Sequence, residues 1–251
     1  MQLDTTAAVI TGGASGLGEA TARYFAAHGA QVTIFDRDVA RGEAVAAEIG
    51  GHFAQTDVTS EESVAAAIAH AKASMGKITV AVNCAGIGTV GKTLGKDGPL
   101  PLRTFEMTID VNLLGSFNVA RLAAAEMARN EPDADGERGV IINTASIAAF
   151  DGQKGQVSYS ASKGGIVGMT LPMARDLARD NIRVMAIAPG IFLTPMLLGL
   201  PQEAQDSLAA EVTCPARLGR PEEFGRMAAF IVQMSYLNGE VIRLDGALRM
   251  R

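Results

Sequence analysis

Tyr159 and Lys163 stand four residues apart in Tyr159-Ser-Ala-Ser-Lys163, and on a helix that spacing puts a phenol and an ammonium on one face. A free tyrosine titrates near pH 10, so proton transfer at neutral pH calls for a nearby cation that favours the phenolate, and Lys163 is placed to supply it. Ser146 precedes the phenol at the end of an apolar run. Its hydroxyl can hold a substrate oxygen and stabilise partial charge there. Tyr-x3-Lys alone is a pattern that chance produces often, so its weight depends on what surrounds it.

The surroundings read as a dinucleotide cradle. Thr11-Gly-Gly-Ala-Ser-Gly-Leu-Gly18 follows the first apolar run and opens an Ala-rich stretch, with Gly12, Ser15, Gly16, Leu17 and Gly18 at its bend. Small residues let backbone N–H groups and a helix N-terminus approach a pyrophosphate. The spacing is G-x3-G-x-G rather than G-x-G-x-x-G, and a plain glycine turn is the competing reading. Asp36, eighteen residues after Gly18, ends the second apolar run. A carboxylate there accepts from adenosine ribose hydroxyls and repels a 2′-phosphate, which predicts NAD. Arg37 is the feature that would favour NADP, and a helix N-cap is the other reading of Asp36. Asp57 and Val58 follow the third run, and Asn83, Cys84, Ala85 and Gly86 close the fourth. These are strand-end positions where doubly wound sheets bind ligands. Asp57 is expected to meet the adenine amine and Cys84–Gly86 to floor the ribose.

The elements that must position these groups follow from the apolar pattern. Seven Val/Ile-rich runs, at residues 7–11, 31–35, 52–55, 78–83, 139–145, 183–188 and 240–244, alternate with Ala-rich helical stretches. That alternation predicts a single-domain α/β Rossmann fold, a doubly wound seven-stranded parallel sheet with helices on both faces, spanning residues 1–251. Thr59 and Glu62 form a capping-box pair, Pro221-Glu222-Glu223 suits a helix's first turn, and Gly29, Gly50 and Gly76 follow helix ends. Residues 88–103 and 130–138 read as surface loops. The second holds Asp133 and Asp135 but lacks the ligand spacing of a calcium loop, so no metal is expected. The Met/Leu-rich stretch 195–208 is either a packing helix or a lid, within a mobile segment of about 190–215. His28, His52 and His70 lack catalytic neighbours in sequence.

Composition sets the outer bounds. Over 251 residues, 22 basic against 27 acidic side chains leave a net charge of −5, which argues against nucleic-acid or anionic-membrane partners. No apolar run is long enough to span a bilayer. Cys84 and Cys214 read as buried thiols of a reducing compartment. The opening residues carry no targeting pattern, so a cytoplasmic location is expected, with a mitochondrial matrix left open.

Together these motifs resemble the short-chain dehydrogenase/reductase family along nearly the whole chain. The family's T-G-x3-G-x-G falls on Thr11–Gly18 and its N-N-A-G on Asn83–Gly86, with Cys84 a departure. Its Asn-Ser-Tyr-Lys set falls on Asn112, Ser146, Tyr159 and Lys163. The resemblance implies that Asn112 holds a water in a proton relay; from the residues alone it is a polar group inside an apolar helix, equally a satisfied kink. Pro189, Gly190, Ile191, Phe192 and Thr194 are similar to the family's P-G-x3-T segment, implied to hold the nicotinamide carboxamide. Segments such as RLGRPEEF and LNGEVIRLDGALRM resemble the branch acting on short 3-hydroxyacyl-CoA esters. That implies NAD-dependent interconversion of a 3-hydroxyacyl-CoA and its 3-oxoacyl-CoA in fatty acid metabolism, a homotetramer, and a substrate wall at Met196, Leu197 and Leu200. Lys92, Lys96 and Arg103 are then candidate contacts for the CoA handle. A 3-oxoacyl carrier-protein reductase, a hydroxysteroid or alcohol dehydrogenase, and a binding scaffold without turnover are the alternatives. The four-residue set speaks against the scaffold, because a binding module needs no proton donor.

Overall fold

The computed structural model describes residues 1–199 and 201–250, with the backbone alone for Met196 and Ala204. Seven parallel strands form one sheet: β1 (Ala7–Thr11), β2 (Gln31–Asp36), β3 (His52–Gln55), β4 (Val80–Asn83), β5 (Gly139–Thr144), β6 (Ile182–Pro189) and β7 (Val241–Leu244). Their order is β3-β2-β1-β4-β5-β6-β7. The chain winds outward from β1 in one direction, then returns to its other side at β4. Connections therefore leave β1 and β4 toward opposite faces, and a crevice opens at their carboxyl ends.

Buried parallel strands need apolar side chains on both faces, and β1 supplies them in alternation. Ala8 and Ile10 pack with Phe25 of α1 (Gly16–Ala27), Val45 of α2 (Val39–Ile49) and Phe224 of α9 (Pro221–Gln233). Ala7 and Val9 face the other layer, with Val64 and Ile68 of α3 (Glu61–Met75) and Val119 and Met127 of α5 (Gly115–Met127). The remaining helices are α4 (Leu102–Ile109), α6 (Val157–Asp176), α7 (Pro195–Leu198) and α8 (Gln202–Ala210). No helix among the described residues is long and apolar enough to cross a membrane.

Several local expectations change. The cap of α3 is Ser60, which accepts from the Ser63 N–H at 3.2 Å, while Thr59 turns back to Asp57. The reciprocal bond forms instead at α9, where Glu223 accepts from the Arg220 N–H. The 88–103 stretch runs into α4 at Leu102, after a short ribbon pairing Leu94–Gly95 with Gly98–Pro99. The 130–138 stretch is not wholly a surface loop. Glu137 is buried and pairs with buried Arg183 of β6 and with the terminal ammonium. Asp133, Asp135 and Glu137 lie together, and those cations already occupy the cluster. Cys214 is exposed rather than buried, and Cys84 is half-buried.

Candidate active site

Two lobes meet at the crevice above β1 and β4. One, of about 400 Å³, is lined by the Gly12–Gly18 turn, Asp36, Asp57, Val58, Cys84, Ala85 and Gly86. The other, of about 500 Å³, contains Ser146, Tyr159, Lys163, Pro189–Phe192, Thr194 and Leu197. Leu17, Cys84, Gly86, Ile87 and Thr194 border both.

The first lobe fits a dinucleotide. Gly16 stands at φ +58°, where a side chain is strained, and an added Cβ would meet nothing nearer than Thr194 at 3.6 Å. The space over the turn is open for a phosphate. Gly18, by contrast, lies against the Gly12 carbonyl, so no side chain fits between helix and strand. Asp36 anchors the turn: one carboxylate oxygen accepts from the Ala14 N–H and the other from the Asp38 N–H, each at 3.0 Å. The cap of α2 is Asp38, not Asp36. Asp57 accepts both the N–H and hydroxyl of Thr59, which hold its carboxyl below the usual range. Asn83 lines neither lobe. It lies buried behind the floor and donates to Asn143 and the Ser116 carbonyl.

In the second lobe, β5 ends at Thr144 and delivers Ser146 two residues later. Tyr159 and Lys163 come from α6, one turn apart, with the ammonium 5.7 Å from the phenol ring centroid. Lys163 Nζ donates to the Thr144 carbonyl at 2.6 Å. Burial pushes this ammonium down to about 8 and the neighbouring Cys84 thiol up to about 11. Burial also raises Tyr159, with a hydrogen bond from Ser146 pulling the other way. The expected lowering of the phenol by Lys163 is therefore not what the structure gives. The cation lies over the ring and bonds a carbonyl, so desolvation outweighs it. The phenol is set as a proton donor, beside a serine hydroxyl that can hold the accepting oxygen.

Asn112 lies in a π turn, Asp110–Leu114, between α4 and α5. Its amide exchanges hydrogen bonds with both backbone groups of Ile87 and donates to Ser162. The kink is satisfied, and it clasps the Gly86–Ile87 segment that borders both lobes. Of the expected substrate wall, Leu197 lines the lobe, whereas the Met196 side chain and Leu200 lie outside the described residues.

Residues 6–205 match the family model described as short chain dehydrogenase. The chain belongs to the short-chain dehydrogenase family. It is 56% identical to 3-hydroxyacyl-CoA dehydrogenase type-2 of Homo sapiens, over 97% of this chain and 95% of that one. The protein of the same name from Drosophila melanogaster is 51% identical, with 96% of each covered. Among solved structures, 3-hydroxyacyl-CoA dehydrogenase type-2 from Mycobacterium avium superposes with a TM-score of 0.93 at 45% identity, covering 98% and 96% of the two chains. A 7α-hydroxysteroid dehydrogenase complexed with NADH and 7-oxo glycochenodeoxycholic acid gives 0.89 at 30% identity, covering 100% and 96%. As a short-chain dehydrogenase, this chain is an oxidoreductase acting on CH–OH groups of a small molecule with a nicotinamide dinucleotide.

The motif reading of this short-chain dehydrogenase missed several contributors. Thr11 is counted in the glycine motif, but its hydroxyl accepts from the Cys84 and Ala85 N–H groups and so joins the two strand ends. Thr56, Ile87 and Val111 line the dinucleotide lobe, and Val90, Gln156 and Met250 the substrate lobe. No local pattern marks Val90 or Met250, since each arrives through a loop or tail whose path depends on distant partners.

Proposed function

We propose that this enzyme oxidises the C3 hydroxyl of a short 3-hydroxyacyl-CoA ester with NAD, and runs the reverse reduction. The observation that carries the reading is the convergence of Ser146, Tyr159 and Lys163 in a mainly apolar lobe, in a chain 51 to 56% identical to type-2 3-hydroxyacyl-CoA dehydrogenases. NAD supplies the hydride acceptor when bound. The Gly12–Gly18 turn would hold its pyrophosphate, Asp36 its ribose hydroxyls, Asp57 and Val58 its adenine, and Pro189–Phe192 with Thr194 its carboxamide.

The chain's own residues carry the proton. Ser146 orients the C3 oxygen, and ionised Tyr159 takes the hydroxyl proton as the C3 hydrogen leaves as hydride. In reduction the phenol returns that proton to the oxygen. Lys163, charged below about pH 8, lies over the phenol ring and orients the ribose. Asn112 holds Ile87 and with it the boundary between the lobes. The acyl chain lies along Ile147, Ala148 and Leu197, and α7 and α8 act as the lid. The CoA handle leaves past Val90 toward exposed Lys92 and Lys96. Arg103 is a weaker contact because Glu106 and Asp110 already face it at 3.8 Å.

The test is kcat/KM with NAD for 3-hydroxybutyryl-CoA, free 3-hydroxybutyrate and a hydroxysteroid. The CoA ester should lead by about tenfold or more, and a lead of that size for either rival overturns the substrate. A homotetramer belongs to the same proposal. Phe117, Leu114 and Phe230 are exposed on helices, and apolar faces of that kind are covered in oligomers. Sedimentation at micromolar concentration should give four chains, and a monomer refutes it.

A further inference from the structure

The segment that follows β7 folds back onto the substrate lobe, where Met250 joins Ile147, Ala148 and Leu197 in the wall. The Cys214 N–H and the Thr213 hydroxyl bond its Gly246 and Ala247 carbonyls, and one side chain ties it to the turn that carries Ser146. Arg243 of β7 lines neither lobe, yet its Nε donates to Asp245 at 2.7 Å and its Nη2 to Asp151 and to the Leu248 carbonyl. Its guanidinium also lies 5.2 Å from the centroid of the Phe150 ring. Phe150 and Asp151 close the short turn that begins at Ser146, each donating its N–H to the Ile147 carbonyl. A single planar fork thus ties the tail to the turn that carries Ser146.

The tail's own backbone shows that this geometry is imposed. Ala247 stands at φ +63°, a region non-glycine residues avoid. It is kept there because Asp245 accepts its N–H at 3.0 Å, while Leu248 is buried beside it. A strained residue persists where its surroundings over-determine it, and such residues gather at functional sites. Asp151 and Asp245 both face the Arg243 guanidinium. Without that charge only Arg249, 3.1 Å from Asp245, would offset the repulsion of the two carboxylates across the seam, and the tail would be free to lift. A lysine keeps the charge but cannot serve both carboxylates and a carbonyl with one planar group.

We propose that Arg243 is a positioning residue that clamps the tail against the Ser146 turn, so that Met250 closes the far wall of the substrate lobe and sets how acyl groups fit. The proposal rests on the dehydrogenase reading of that lobe. Steady-state kinetics with NAD test it on 3-hydroxyhexanoyl-CoA, or on whichever alcohol the wild-type enzyme oxidises best, so that a wrong substrate class shows in the wild type and not in the variants. Arg243→Gln should raise the KM of the alcohol by about tenfold, with kcat and the KM for NAD within about twofold. Met250→Ala should do the same, and the double variant should be no worse than the worse single, because both act through one wall. Arg243→Gln combined with Asp151→Asn should recover part of the loss by removing the repulsion. Additive effects, a fall in kcat at unchanged KM, an equal loss of NAD binding, or no change in either single variant overturns the assignment.

Discussion

Replacing Lys163 by Met should abolish turnover and leave the protein as stable as before, or more so. In water the ammonium titrates at 10.5, and burial in the fold brings it down to about 8. At about 1.4 kcal/mol per unit, holding the charge inside costs about 3 kcal/mol below pH 8. Removing it also removes the bond to the Thr144 carbonyl, a charge-assisted contact worth about 1.5 to 3 kcal/mol. Methionine fills nearly the same volume, so packing changes little. The two large effects roughly cancel near pH 7, with any balance favouring the variant. pH separates them. Between about pH 8 and 10 the folded lysine is neutral while the unfolded one still binds a proton, so wild-type stability from this group rises with pH. The variant lacks that rise. By pH 9.5 its standing relative to wild type should have fallen by about 2 kcal/mol. Cys84 and Tyr159, both raised by burial, destabilise the fold as pH climbs through their unfolded values. They do so in both proteins, and the difference cancels most of it. Urea unfolding of the two proteins at equal concentration, at pH 7 and 9.5, reads the quantity directly. A stability difference that does not move with pH would refute the idea that a buried charge sits at residue 163.

Tyr159→Phe should cut kcat by about 10² to 10⁴ with NAD binding unchanged, and in the wild type kcat/KM for oxidation should climb with pH because burial keeps the phenol protonated at neutrality. Near-normal turnover, or oxidation flat from about pH 6 to 9, removes Tyr159 from the mechanism. Asp36→Ala loses its bonds to the Ala14 and Asp38 N–H groups as well as its repulsion of a 2′-phosphate, so the NAD to NADP ratio of kcat/KM should fall about tenfold or more. An unmoved ratio defeats that role. Glu137→Gln strips the main partner from buried Arg183. It should cost about 3 to 5 kcal/mol in urea unfolding while kcat per folded molecule holds, and a loss under about 1 kcal/mol contradicts it.

What could be read ahead of the structure follows from how local each cause is. The five inner strands were legible because a strand buried on both faces is a continuous apolar run, and the half-exposed edge strands β3 and β7 by their place in the alternation with helices. The strand ends agree to within two residues: β1 and β3 match throughout, and Asp36, which ends the second run, closes β2 by pairing with Gln55. Glu137 read as a loop carboxylate because its partner, Arg183, lies 46 residues away. The Tyr159–Lys163 juxtaposition needed only a helical spacing, so it was visible. Its protonation was not, since desolvation sums over every group packed around the pair. Asn112 shows the boundary between the two cases. Polarity within an apolar helix left a relay and a kink equally open, and the π turn makes its amide a clasp on Ile87. In the tail after β7, Leu248 is buried within the fold and Met250 turns into the substrate lobe, where Arg243 and Asp245 bend the chain back at Ala247. Ser146, Tyr159 and Lys163 were thus readable because they sit just past a strand end and one helical turn apart. The walls that choose the substrate come from loops and a tail, whose courses are decided by side chains far along the chain, so the reaction class is legible in such a sequence before its specificity is.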